Sequence, residues 1–408
     1  MIEFNEFITE AKNTHMTHIE DKVLYGGVDG TRQAIVALLS LRDTLAGVHK
    51  GNVSVKWDGA PAIFAGTDPS DGKFFVAKKG VFNKSPKVYK TPKDVDADTS
   101  GDLAKKLKVA LAELPALGIK GVIQGDFLFG PGDIKKETIE GEEYYTFHPN
   151  TIVYAIPVNS EIAKQIRVSK IGIVWHTEYT GNSFETMKAS YNYNSSKLKK
   201  SKSVFSTDAN LKDLSNLTMS AEETETVTDY LRQAGRVFNQ IAGSTLRELE
   251  KNQQLAQHIE TFNNTYVRKG ELIINTRQHV TDLINYIKLR YQKQIDDLKT
   301  PAGKERRNVE LQNLLTFFSD QNKQSLEKMF DLQRLIVMAK IKLINTLDKF
   351  NKTRTFLKTS RGYRVTGQEG YVAIDQLGGD AVKIVDRMEF SFANFSPDIL
   401  KGWDKSGR

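Results

Sequence analysis

Eight of the chain's ten prolines fall between Pro61 and Pro157, and only Pro301 and Pro397 lie beyond them. Proline removes a backbone donor and fixes φ, so it punctuates turns and interrupts helices. The proline-dense part must be built from short, turn-linked elements, whereas the later stretch is free to form long helices. Apolar spacing agrees. Ile35, Leu38, Leu39, Leu41 and Leu45 recur at helical spacing and predict a helix over residues 30–47. From Val53 short apolar runs broken by Gly, Pro and Asp predict strands at 62–65, 74–77, 121–123, 151–156 and 171–175, with a helix at 100–113. Residues 206–350 read as a block of four or five helices. Met329, Phe330, Val337, Ile341, Ile344 and Leu347 share one face there, and Leu246, Leu249, Leu283, Ile284 and Ile287 serve similarly earlier. Thr300-Pro301-Ala302-Gly303 marks a break between two of them. Strand character returns at 371–374 and 381–385, around a turn signal at Gln376-Leu377-Gly378-Gly379-Asp380. The expectation is an α+β fold in which an all-α segment, 206–350, is inserted between a first part, 1–205, and a last part, 351–408.

Composition narrows the chemistry. With no cysteine, a disulfide scaffold, a thiolate metal centre and a cysteine nucleophile are excluded. No run of apolar residues approaches the roughly 18 needed to span a membrane. The opening Met1-Ile2-Glu3-Phe4-Asn5-Glu6 has no basic and apolar regions of the secretory kind, which predicts a soluble, cytoplasmic protein. The 58 Lys and Arg exceed the 50 Asp and Glu by eight, a balance that points to an anionic partner, nucleic acid being the commonest.

The sharpest segment is Val53-Ser54-Val55-Lys56-Trp57-Asp58-Gly59-Ala60-Pro61. A lysine ends an apolar strand and Asp-Gly turns the chain at once. Desolvation there would lower the amine's pKa and make it a nucleophile. Lys56-Trp57-Asp58-Gly59 is also an ordinary strand-to-turn junction. Further segments come in a definite order along the chain: Ala77-Lys78-Lys79-Gly80, then Gly125-Asp126-Phe127, then Val153-Tyr154-Ala155-Ile156, and, beyond the helical block, Glu369-Gly370-Tyr371-Val372 and Lys383-Ile384-Val385. Asp126 and Lys383 each interrupt an apolar run and so call for a partner. Glu369 before a glycine could equally be a surface-turn acid.

In this order the segments resemble the motifs of the covalent nucleotidyltransferase superfamily, which comprises ATP-dependent polynucleotide ligases and mRNA capping enzymes. The pattern is closest to phage-type RNA ligases. The resemblance covers about residues 50–175 and 360–390 and implies a ligase-type adenylyltransferase domain. It casts Lys56 as the lysine that attacks the α-phosphate of ATP, and Lys383 as the lysine that neutralises that phosphate. Gly59, Lys78, Asp126, Tyr154 and Glu369 would line the nucleotide, with Tyr154 stacking on the base and Asp126 holding the ribose. Glu369, and with it Asp58, would hold Mg2+ or Mn2+. Lys78, Lys79, Lys199, Lys200 and Arg387 would meet nucleic acid, Arg387 standing in for a second lysine that Val385 replaces.

Only 25 residues come after Lys383, too few for the oligonucleotide-binding (OB) barrel that capping enzymes and most DNA ligases carry there. The expectation is therefore a monomeric ligase without a C-terminal barrel, joining 5′-phosphate to 3′-hydroxyl ends, RNA ahead of DNA. A capping-type guanylyltransferase and a non-catalytic relative are the alternatives. Lys197, Lys199, Lys200 and Lys202, downstream of Tyr191 and Tyr193, lead into the helical block, which would then grip the polynucleotide. His15 and His18 read as surface or capping residues, and Gly26–Gly30 as a loop before a helix.

Overall fold

In the computed structural model the chain is described over residues 17–48, 53–191, 193–210, 218–349, 353–374 and 381–402. Three sheets and a bundle of helices make a mixed α+β architecture. A six-stranded sheet runs β10 (Val204–Asp208), β8 (Ile171–Thr180), β4 (Val122–Phe129), β2 (Ala62–Thr67), β3 (Phe74–Ala77), with β9 (Lys188–Ser190) beside β8. All its pairings are antiparallel except β10 with β8. A five-stranded antiparallel sheet runs β12 (Gly362–Val365), β11 (Arg354–Thr359), β7 (Ile152–Pro157), β6 (Glu142–Phe147), β5 (Lys135–Ile139). The third sheet is small: β1 (Val53–Lys56), β13 (Gly370–Ile374), β14 (Ala381–Ile384). The last part of the chain thus returns twice, β11 onto β7 and β13 onto β1. The turn expected at residues 376–380 lies outside the described residues. Beyond β14 come a turn of π-helix, Arg387–Ser391, and a short helix, Phe392–Phe395, with no further strand among the described residues.

The first long helices are α1 (Gly27–Leu45) and α2 (Gly101–Glu113), close to their expected bounds. Between residues 218 and 349 there are six helices rather than four or five: α3 (Ala221–Phe238), α4 (Gly243–Lys251), α5 (Gln253–Lys269), α6 (Thr276–Asp297), α7 (Pro301–Leu315) and α8 (Asp320–Asp348). The additional boundary has a local cause. Asn252 accepts a hydrogen bond from the Leu255 amide and starts a new helix where the apolar period alone would continue the old one. Pro301 opens α7 at the break expected there, capped by Thr300 on the Gly303 amide. No described helix is long and apolar enough to cross a membrane.

One core unites the helices with the small sheet. Leu231, Leu283, Phe330 and Leu343 from the helical block pack in it with Leu38 and Leu45 of α1, with Val53 and Val55 of β1, and with Tyr371, Ala373, Val382 and Ile384 of β13 and β14. The helical block is therefore the wall behind β1 rather than an appendage. Its inner surface also carries buried charge. Lys340 of α8, only 1% exposed, donates to both carboxylate oxygens of Glu20 at 2.8 Å. Burial alone would push Glu20 up, but Lys340, with His18 and Arg387, pulls it down to about 2.

Removing one member of a buried pair leaves the other charge uncompensated, at a cost of about 3–5 kcal/mol. A depressed carboxyl contributes stability that is present above its unfolded value, 4.5, and is lost as pH falls towards 2. Lys340→Met is expected to lower the melting temperature at neutral pH and to weaken the acid-induced loss of stability below about pH 4.5. Thermal melts of both proteins across that range check this, and equal melting at neutral pH would refute it.

Candidate active site

The register of the small sheet decides where its charges go. Ser54 lies opposite Val372, and Val372 opposite Lys383. Side chains alternate along a strand, so Ser54, Lys56, Val372 and Lys383 share one face while Val53, Val55, Tyr371 and Val382 share the other. The second face is buried in the helical core. The first is the side left for the two lysines. Lys56 stands opposite Gly370, where a Cβ would lie 2.3 Å from the Ile384 carbonyl oxygen. β1 is tied to the six-stranded sheet through the Val55 amide, which donates to the Ala209 carbonyl at 2.7 Å.

Glu369 precedes that glycine and forms an ion pair with Lys56. It is 7% exposed, so it is no surface-turn acid. Burial raises its carboxyl to about 7 against the pull of Lys56. For Lys56, burial acts downward, but Glu369, then Asp126 and Asp58, outweigh it and the net shift is upward. This corrects the expectation of a desolvated amine poised near neutrality. The lysine pushed down is Lys383, by burial first and by Lys56 second. The structure thus brings Lys56, Glu369 and Lys383 to one place from opposite ends of the sequence.

Asp126 faces the same group from β4, its field acting on Lys56. Its Oδ2 is 3.5 Å from Nε2 of His176, a residue that belongs to none of the motif segments. Its signal in the sequence is a single histidine at the end of the Ile171–Trp175 run. Gly59 lies against Asp126. A Cβ at Gly59 would come 2.5 Å from the Asp126 Cβ and 2.9 Å from the Phe127 oxygen, so only glycine lets the turn after Lys56 approach β4.

Asp58 and Tyr154 do other work than expected. The Asp58 carboxylate accepts from the Thr151 amide at 2.6 Å, the Ile152 amide at 2.8 Å and Asn150 Nδ2 at 2.7 Å. Burial pushes its carboxyl up despite these bonds. Its oxygens are thus committed to the protein, which corrects its assignment as a metal ligand. The Asp58 amide in turn donates to Tyr154 Oη at 2.6 Å. Tyr154 is fully buried, with Trp57 at 4.7 Å and Phe147 at 5.4 Å between ring centroids. Its ring has no open face for a base. Both residues instead brace the turn that carries Lys56.

The residues expected to meet nucleic acid divide. Lys78 is paired with Asp98 at 2.9 Å, while Lys79 is exposed at the start of a 3-10 turn, Lys79–Phe82. Lys199 and Lys200 are exposed, and the Lys199 amide donates to the Leu117 carbonyl near the start of β4. Arg387 is buried. It donates to Asp21 at 2.9 Å and to Asn264, which corrects its assignment as a nucleic-acid contact. His18 is half-buried at the N-cap position of a 3-10 turn, Ile19–Asp21, but its side chain makes no capping bond. Its Nε2 lies 3.5 Å from Lys383 Nζ.

Among the described residues no group of three or more His, Asp or Glu side chains makes a metal cage. What the arrangement offers is a lysine held by a buried acid, a second lysine on the same face and a second carboxylate across from them. No curated protein and no solved structure matches the chain. The family comparison does match, over residues 13–398, and the chain therefore belongs to a family of unknown function, DUF6267.

Proposed function

We propose that the protein is an ATP-dependent polynucleotide ligase, RNA ahead of DNA, working through a covalent lysyl–AMP. The observation that carries the reading is that Lys56 and Lys383 share one sheet face and that Glu369 pairs with Lys56, the three coming in the order of the nucleotidyltransferase motifs. Lys56 Nζ attacks the α-phosphorus of ATP. A P–N bond forms, the P–O bond to pyrophosphate breaks, and pyrophosphate leaves. An ammonium cannot attack, so Lys56 must first give up its proton, and the Glu369 carboxylate in contact with it would accept that proton. Lys383 offsets charge on the α-phosphate in a site where little water competes for it.

A magnesium ion of the kind that takes one or two carboxylates and completes its shell with phosphate oxygens suits Glu369 and Asp126, the carboxylates that act most strongly on Lys56, and does not suit Asp58. It would supply further neutralisation of the phosphates. The AMP would then pass to a 5′-phosphate, and a 3′-hydroxyl would displace it. Lys79, Lys199 and Lys200, exposed among the described residues, support a polynucleotide partner.

The measurement that tests this is intact mass after incubation with ATP or GTP and Mg2+ or Mn2+. An AMP adduct on Lys56, lost in Lys56→Ala, is expected. A GMP adduct would give the capping-type reaction, and no adduct with either nucleotide would leave a non-catalytic relative. Glu369→Gln should slow adduct formation. It should also move the rise of rate with pH to lower pH, because Glu369 is what holds the Lys56 ammonium above its ordinary range. An unshifted profile would remove Glu369 from proton transfer. Finally, the double substitution Lys199→Glu and Lys200→Glu should weaken single-stranded RNA binding and reduce its salt dependence by about one to two released counterions. Unchanged binding and salt slope would place the polynucleotide on another surface.

A further inference from the structure

The segment ahead of the first helices is built into the site. His18 forms a parallel bridge with Lys383 of β14, its Nε2 3.5 Å from the lysine Nζ. The residues just after His18 are tied down on two sides. Glu20 takes Lys340 at 2.8 Å, its carbonyl accepts from Gln333 Nε2 at 2.9 Å, and Asp21 takes Arg387 at 2.9 Å. The anchors come from α8 and from the segment after β14, so both partners of the His18–Lys383 contact are held by rigid neighbours.

An ammonium only donates, so Nε2 must be the acceptor and the ring proton belongs on Nδ1. Nδ1 is buried and has no hydrogen-bond partner among the described residues. Burial, joined by Lys383, Arg387 and Lys340, outweighs the opposing pull of Glu20 and lowers His18 to about 2, so the ring is neutral at neutral pH. The two lysines on the face therefore have opposite partners. Lys56 meets a carboxylate, which cancels its charge. Lys383 meets a neutral imidazole, which can direct an ammonium without cancelling anything.

We propose that His18 is a positioning residue that orients the Lys383 ammonium through a neutral acceptor and so leaves its charge available to an incoming phosphate. The identity of that phosphate as the α-phosphate of ATP rests on the ligase reading; the His18–Lys383 contact does not.

The experiment has two arms. In protein labelled with 15N-histidine, with the His18 signals identified by their loss in His18→Gln, two-bond correlation spectra report the tautomer. A neutral ring protonated on Nδ1 is expected across about pH 5 to 8. An Nε2–H tautomer or an imidazolium at neutral pH would overturn the contact. In the second arm, adduct formation is measured at saturating ATP for three variants whose folding is checked by thermal melts. His18→Ala is expected to be slower than wild type by about ten- to a hundredfold. His18→Gln, which keeps an acceptor, should recover most of the rate. His18→Glu, which supplies an acceptor but cancels the charge, should be no better than His18→Ala. Equal rates in all three would overturn the positioning role. If the wild-type protein forms no adduct, the ligase reading fails by itself. The tautomer then still decides the contact, and calorimetric binding of inorganic pyrophosphate replaces the rate, with the same order of variants expected and equal affinities refuting the proposal.

Discussion

The antiparallel pairing of Val53–Lys56 with Gly370–Ala373 is the constraint on which the site depends. Its strength comes from the side of the sheet turned to the helices. Val53, Val55, Tyr371, Ala373, Val382 and Ile384 all pack into the helical core. A fully buried aliphatic or aromatic side chain contributes about 1.5–3 kcal/mol relative to an exposed one. Because side chains alternate with period two, a one-residue slip would drive Lys56 into that core and turn Val55 out. Register and the placing of the charges are thus one fact: the apolar face fixes which way the lysines point.

That arrangement also explains how two lysines and a buried acid are tolerated together. Lys56 and Glu369 compensate each other, whereas Lys383 rests on His18 and on nothing acidic at that distance among the described residues. Further in, Glu20 with Lys340 and Asp21 with Arg387 complete a run of buried charge from the sheet into the helices. Burial pushes Asp21 up to about 7 even beside Arg387, so this interior is polar at a real desolvation cost. The helices therefore contribute to the site as its wall and as the counter-charges of its outermost segment.

Much of this was legible in the sequence, and what was not has a common cause. Strands, the first helices and the helical break came from local period and from proline, both properties of neighbouring residues. Val53-Ser54-Val55-Lys56 was legible as an apolar strand ending in a lysine, whereas its two faces emerge from the register with Gly370–Ala373. Glu369 and Lys383 were legible because motif order places them, and because a lysine within Ala-Val-Lys-Ile-Val needs a reason. Asp58, Tyr154 and Arg387 were misassigned because their partners are set by tertiary structure. The acid is taken by amides at Thr151 and Ile152, the ring by Trp57 and Phe147, and the guanidinium by Asp21. His18 looked superficial because its partner lies 365 residues away. The extra helix arose from an asparagine cap that apolar period does not register.

The return of β13 and β14 to β1 has a consequence for how the molecule is made. Chains emerge from the ribosome N-terminus first, and domains begin to fold as they appear. β1 is synthesised early, yet the strand it pairs with is not available until residues 370–374 have emerged, and Lys383 comes later still. Until then Val53 and Val55 lack their strand neighbour, and Lys56 has neither Glu369 nor Lys383 beside it. The strands of the six-stranded sheet all lie before residue 209, so that sheet draws on none of the residues that complete the convergent site. Assembly of the convergent face is in this sense a late event, reached only once Glu369, 313 residues after Lys56, and the strands that follow it have been produced.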